Sequence, residues 1–370
     1  MKKIKIIIIL FTFLLLSGCA QTLKDEENNV IKYDSKAICD KCENNCEETI
    51  LQYESLVSKE ELTVEEEETL NRIKEDALSC EESCNSTCKL AKENATGQTL
   101  TSNILCQPTN EDVKEIYELY GIEIKNLPLC SEYKINDGGY EGLWTSIFVK
   151  PLAWILLKLG TILNNYGLSL VLIGIIIRLL MMPVTKKTAT QSENMKKAQP
   201  EINALELKYK DKTDQQSVMN KNQETILIYK KYKINPISSC LFALIQIPIL
   251  FAFIEAINRV PAIFEGTFLG LKLGATPSVA ILRGEWWYIL IVVLLGLVTY
   301  FSFSQNKVAD QGSTQKQMKT MNLVLIVFII IMSFSLSTAI GIYWITSSSF
   351  TILQNLIVKR GAVKWKKMNI

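Results

Sequence analysis

From Leu143 onward the sequence is a succession of long apolar runs with almost no charge inside them. A run of about 20 apolar residues is long enough to cross a bilayer, and in lipid such a segment satisfies its own backbone only as a helix. The chain ahead of these runs is different. Residues 24–137 are polar, acidic in places and rich in cysteine. The overall 48% hydrophobic content and formal charge of +2 average over these two unlike parts and describe neither.

Five segments are expected to span, at residues 166–184, 237–257, 286–303, 321–336 and 339–358. The fourth runs almost directly into the fifth, which predicts a tight turn between them. Residues 143–163 mix apolar residues with Lys150, Lys158, Trp144 and Trp154 and read as an interfacial amphipathic helix. Lysines set the direction. Lys186, Lys187, Lys196 and Lys197 follow the first span, and Lys230, Lys231 and Lys233 precede the second. Lys307, Lys316 and Lys319 separate the third and fourth, and Lys359, Arg360, Lys364, Lys366 and Lys367 end the chain. The positive-inside rule places all of these in the cytoplasm.

The N-terminus agrees with that direction. Lys2, Lys3 and Lys5 precede a short apolar stretch ending in Leu16-Ser17-Gly18-Cys19. This resembles a bacterial lipoprotein signal, in which Cys19 is lipidated and becomes the first mature residue. An outside start followed by five crossings ends inside. The expected organisation is a signal peptide (1–18), a cysteine-rich extracytoplasmic domain (19–142), the interfacial helix (143–163), a five-span core (164–360) and a basic cytoplasmic tail (361–370). Within the core, residues 185–235 carry eleven lysines against six acidic residues. Helical stretches broken near residues 210–214 predict a cytoplasmic two-helix hairpin, mobile and lightly packed.

Eight cysteines lie between Cys19 and the first span: Cys39, Cys42, Cys46, Cys80, Cys84, Cys88, Cys106 and Cys130. Spacings of three and four place each triplet on one helical face. Thr63-x-x-Glu66 is a capping box for the second helix. In an antiparallel helix pair, facing residues keep a nearly constant sum of positions. Cys46 with Cys80, Cys42 with Cys84, and Cys39 with Cys88 keep it to within one residue. Cys106 pairs with Cys130 by elimination. A zinc cluster is the competing arrangement, but an exported, oxidising location favours bridges. Cys240, in the second span near the cytoplasm, is expected as a free thiol.

The chain has no histidine, which removes Ser-His-Asp and Cys-His catalysis and the usual neutral-pH general base. It has no phosphate-binding loop either. Gly266, Gly270 and Gly274 sit in a polar connection and read as loop glycines. No enzyme activity and no cofactor or metal are expected.

One charge lies within a span. Arg178 stands in Ile177-Arg178-Leu-Leu, where an arginine costs about 2.5–3.5 kcal/mol on the lenient insertion scale. It is expected to face a wet cavity or an acidic partner. Glu255 lies near an outer helix end, where Arg259 can pair with it. Gln246 lies at a depth similar to that of Arg178, which points to a hydrated groove open to the cytoplasm. Ser333, Ser335, Thr346, Ser347, Ser348 and Ser349 are candidates for its lining.

Over residues 143–360 the chain resembles the YidC/Oxa/Alb family of membrane protein insertases. The resemblance rests on Phe148-Val-Lys-Pro-Leu-Ala-Trp154, Tyr166-Gly-Leu-Ser, Ile177-Arg178-Leu-Leu, Asn235-Pro-Ile-Ser-Ser-Cys240, Leu244-Ile-Gln-Ile-Pro248, Ala339-Ile-Gly-Ile-Tyr343-Trp344 and Gln354-Asn355. It implies an all-α polytopic core around a groove open to cytoplasm and lipid. Arg178 takes the place of the groove arginine and Gln246 is its neighbour, while Tyr343 and Trp344 contact passing segments. The implied partners are nascent membrane proteins, with the ribosome and the general secretion channel beside them, and membrane lipids. Direct nucleic-acid recognition is not expected. The small, helical, cysteine-rich outer domain departs from the family pattern. The alternative function is a lipoprotein-anchored transporter or channel for a small anion, which would show internal repeats or paired broken helices. The sequence shows neither.

Overall fold

The computed structural model describes residues 21–34, 36–58, 63–235, 248–304 and 313–368. The expectations for Cys19, Cys240 and Gln246 fall outside them. The described chain is mostly helical, with one two-stranded ribbon.

The N-terminal region, the one expected outside and called the outer region below, begins with isolated bridges, Thr22 to Thr101 and Lys32 to Thr99, that tie its first residues to a later loop. Helix α1 (Lys36–Val57) runs antiparallel to α2 (Val64–Asn94). Helix α2 begins directly after Thr63, where the capping box predicts it. Four cysteine pairs stand at disulfide distance, with Cα separations of 5.0 Å (Cys39 and Cys88), 5.5 Å (Cys42 and Cys84), 5.8 Å (Cys46 and Cys80) and 4.8 Å (Cys106 and Cys130). The first three are the pairs that the constant position sum selects, and the fourth is the pair left by elimination. Helix α3 (Glu111–Leu119) starts at Asn110, whose side chain accepts from the Val113 N–H. A small core of Leu23, Tyr33, Ile38, Leu100, Val113, Ile116 and Tyr117 closes the region.

Helix α4 comprises a π-turn (Thr145–Val149) running into Lys150–Leu163. Asn164, in the left-handed conformation at φ 49°, stops it, and Asn165 caps α5 (Tyr166–Leu180) by accepting from the Leu168 N–H at 2.9 Å. Two asparagines thus fold α4 back against α5. Among the described residues, Thr145–Leu163 is the one helix long and apolar enough by itself to cross a membrane. Its exposed Ile147, Ile155 and Ile162 lie among the residues facing outward.

Helix α5 ends at Leu180, inside the first expected span, and α6 (Met182–Lys208) follows after one residue. Helix α6 packs against α7 (Gln215–Lys231), whose N-cap Asp214 accepts from Ser217. Glu224 accepts from Lys208 (2.7 Å) and from the Tyr209 hydroxyl (2.8 Å), and Glu201 accepts from the Tyr232 hydroxyl (2.8 Å) and pairs with Lys231. These lysine and tyrosine hydrogen bonds hold both carboxyls below their ordinary range.

The rest of the core comprises α8 (Pro248–Asn258), α9 (Pro261–Phe264), a β-hairpin (β1, Thr267–Phe268; β2, Leu271–Lys272), α10 (Pro277–Leu282), α11 (Tyr288–Ser304), α12 (Ser313–Ser333) and α13 (Thr338–Met368). The hairpin turns on Leu269 and Gly270, both at positive φ. Phe268 at its base fills the space above Gly167, where a Cβ would meet its ring at 2.2 Å. Helix α11 packs on both α12 and α13, and α13 packs on α5. Outward, α11 exposes Leu290, Val293, Leu297 and Phe301, and α12 exposes Val324, Phe328 and Ile331. Helices apolar on the packed face and on the open face fit a lipid surround and not water.

Candidate functional site: a buried arginine between two helices

Arg178 occupies the last turn of α5 and is 8% exposed. The C-terminal end of a helix carries partial negative charge, so a cation is favoured there. Its Nε donates to Ser347 Oγ of α13 at 2.6 Å, with Ser348 also buried nearby in the chain. Two turns beyond, Gln354 donates to Thr185 Oγ1 at 2.5 Å and ties α13 to the start of α6. Gly174 allows this approach: a Cβ there would lie 3.3 Å from Thr346 and 3.6 Å from Tyr343. Of the hydroxyl residues nominated by the sequence, Ser347 reaches Arg178 through a direct hydrogen bond.

Tyr343 lies one helical turn from Ser347 and is 1% exposed, its ring stacked on Phe253 of α8 at 3.8 Å. Its place is in the packed core. Trp344 faces the opposite way, and its indole N–H donates to Thr299 of α11 at 3.0 Å. Tyr343 stands beside Arg178 at the contact of α5 with α13. Arg178 meets Ser347, Tyr343 meets α8, Trp344 meets α11, and Gln246 is outside the described residues.

A second polar constellation sits where the N-terminal end of α4 meets the C-terminal end of α8. Glu141 bridges Lys150 (3.2 Å) and Arg259, and Arg259 also reaches Glu255 at 3.4 Å. The Trp144 indole donates to Glu255 at 2.9 Å, and the Arg259 Nε donates to the Asn103 carbonyl at 2.6 Å. Lys150 and Arg259 are each 1% exposed. The i,i+4 pairing of Glu255 with Arg259 was visible in sequence. Glu141, over a hundred residues away, gave no signal.

This cluster lies at a continuous seam between the outer region and the core. The Leu105 N–H donates to Arg259 O (2.8 Å), the Thr276 N–H to Thr96 O (2.9 Å), and Gln98 Nε2 to Asn258 Oδ1 (2.8 Å). Glu265, from the core, accepts from the backbone N–H groups of Thr109 and Asn110 at the start of α3. Phe264, also from the core, is 1% exposed and belongs to the outer region's hydrophobic cluster. Burying such a ring contributes about 1.5–3 kcal/mol.

The family model described as 60Kd inner membrane protein matches residues 158–366, from α4 through α13. The chain is 32% identical over 228 residues to "Membrane protein insertase YidC" of Oceanobacillus iheyensis, covering 60% of this chain and 85% of that protein. It is 33% identical over 224 residues to "Membrane protein insertase MisCA" of Bacillus subtilis, covering 60% of this chain and 81% of the relative. With more than half of its length matched and these relatives covered nearly end to end, the chain belongs to the 60Kd inner membrane protein family, the YidC/Oxa/Alb insertases.

Proposed function

We infer that the chain is a membrane protein insertase of the cell membrane, assisting the integration of nascent membrane proteins without enzymatic chemistry. The observation that carries the mechanism is Arg178, buried between α5 and α13 with Ser347 on its Nε. A cation held at that depth offsets part of the desolvation cost of a polar or acidic client tail through charge-assisted contacts. The client's apolar segments then move sideways into lipid, and their burial drives the step. Gln246 adds a second polar group to the groove, and Trp344 lines the α11 side along which a segment leaves. Tyr343, stacked on Phe253, holds α8 against α13 and so fixes the groove wall.

The proposed orientation has five crossings, the cysteine-paired region outside with lipidated Cys19, and the α6 and α7 pair inside as a hairpin. Its lysines suit the ribosome surface, and the groove side suits contact with the secretion channel. The lysine distribution along the chain supports this direction.

Arg178→Ala tests the groove. It should lower insertion of clients with acidic translocated tails by about 10-fold or more, the worth of a charge-assisted hydrogen bond. Arg178→Lys should keep part of the activity, because charge matters more than fork geometry. Full insertion by the alanine variant, in cells depleted of any paralogue, would remove the arginine from the mechanism.

A further inference from the structure

A cavity of about 510 Å³ lies where the Cys106 and Cys130 loop and the following turn meet α4. Pro128, Trp154 and Leu157 form its apolar wall, Tyr133 backs it, and Lys134 and Lys158 stand at its mouth. The family match begins at residue 158, so all of this lining except Lys158 lies ahead of it.

Lys158 is in an unusual setting. Ile155, Lys158 and Ile162 follow one another at helical spacing on one face of α4, and both isoleucines are exposed. On an interfacial helix this face lies at the boundary of acyl chains and headgroups, and an ammonium there finds its anion at the level of the headgroups. Neither Lys134 nor Lys158 makes an ion pair with any described residue. Of the two carboxylates at the cavity, Asp137 accepts from the Lys134 backbone N–H at 2.7 Å, and Glu132 lies exposed at the rim. Trp154 and Tyr133 are the aromatic types that sit at a membrane–water boundary. Two ammonium groups over an apolar wall match a phosphate joined to a glycerol backbone better than a free anion, which would leave the wall unused.

We propose that this cavity binds the phosphodiester of a membrane phospholipid, with Lys134 and Lys158 on the phosphate and Trp154 and Leu157 against the glycerol and first acyl carbons. The site rests on the membrane reading of the core proposed above and on α4 lying at the interface as its sequence suggests, and not on insertion activity.

The test uses the full-length protein purified in detergent, with dioleoyl phosphatidylglycerol titrated and bound lipid counted by native mass spectrometry. The Lys134→Gln, Lys158→Gln double variant should bind about 30-fold more weakly, and Lys158→Gln alone about fivefold, one lysine–phosphate attraction each. The Lys134→Arg, Lys158→Arg pair, which keeps both charges, should bind as the parent does. Unchanged affinity in the glutamine variants overturns the site, and so does dioleoylglycerol binding as tightly as the phospholipid. Inorganic phosphate displacing the lipid at equal concentration would replace the proposal with a free-anion site. Flotation with liposomes separates the two levels: a protein that floats yet shows no lysine-dependent lipid binding keeps its membrane placement and loses this site.

Discussion

Two antiparallel helix pairs, α1 with α2 and α6 with α7, solve the same problem by different chemistry. Both are polar, both leave large apolar side chains exposed (Leu51 and Leu78 in one, Leu207 and Leu227 in the other), and neither buries enough to hold itself by packing. The first pair places three cysteine pairs at Cα separations of 5.0–5.8 Å along its length. The second uses two glutamates, Glu201 and Glu224, each accepting from one lysine and one tyrosine. Covalent cross-links restrict the unfolded chain, whereas exposed ion pairs add little and yield to salt. The staple each pair uses follows the redox character of the side of the membrane it is proposed to occupy.

The largest effect that would break this comparison is loss of the bridges. Each bridge removed, for instance by Cys42→Ser with Cys84→Ser, should cost the outer region about 2–4 kcal/mol. Full reduction should abolish hydrogen-exchange protection across 36–94 while leaving 182–231 unchanged. Protection that survives reduction would mean that packing alone holds α1 to α2. Peptide mapping without reduction should recover the four pairs, and metal bound at Cys42, Cys46 and Cys84, whose sulfurs lie within 4.8 Å of one another, would discard them.

A middle-sized effect sharpens how the outer pair is seated. Glu265→Ala removes the acceptor for the Thr109 and Asn110 N–H groups and should destabilise α3 by about 1–2 kcal/mol, read as faster exchange at 109–116. Equal exchange there would show that Phe264 alone seats the region.

The smallest effects concern α6 and α7. Glu224→Gln, or salt raised to 1 M, should loosen that pair measurably in exchange experiments and leave α1 and α2 untouched. Acid should do the same. Both glutamates have lowered folded-state values, so their contribution is present above the ordinary carboxylate value of 4.5 and is lost as pH falls below it. A pair that tightens on acidification would reverse the sign and exclude the carboxylates as its clasp.

Much of this was legible in the sequence for reasons that are local or arithmetical. The cysteine register follows from helical spacing and antiparallel direction alone. The turn near residues 210–214, the start of α2 at Thr63 and the apolar helices follow from short-range chemistry. What escaped was set by contacts between distant segments. The stacking of Tyr343 on Phe253 had no signal in the sequence. Lys150 counted only as one of the polar residues of an amphipathic helix, and its burial against Glu141 and the carbonyls of Asp137 and Gly139 had no signal in the sequence. No periodicity reports a partner that arrives from another element.

The place of Phe264 bears on the order in which the protein is made. Residues 23–124 leave the ribosome well before the ring that completes their hydrophobic cluster and the Arg259 carbonyl that receives Leu105. In the proposed orientation, that ring reaches the outside only after the second crossing is threaded. Until then the outer region is unfinished, its thiols open to oxidation in any pairing. Only helical spacing and antiparallel direction bias the pairing of α1 with α2 meanwhile, and docking waits for the ring. Synthesis of this chain thus includes an interval in which one half of an insertase depends on the insertion of the other.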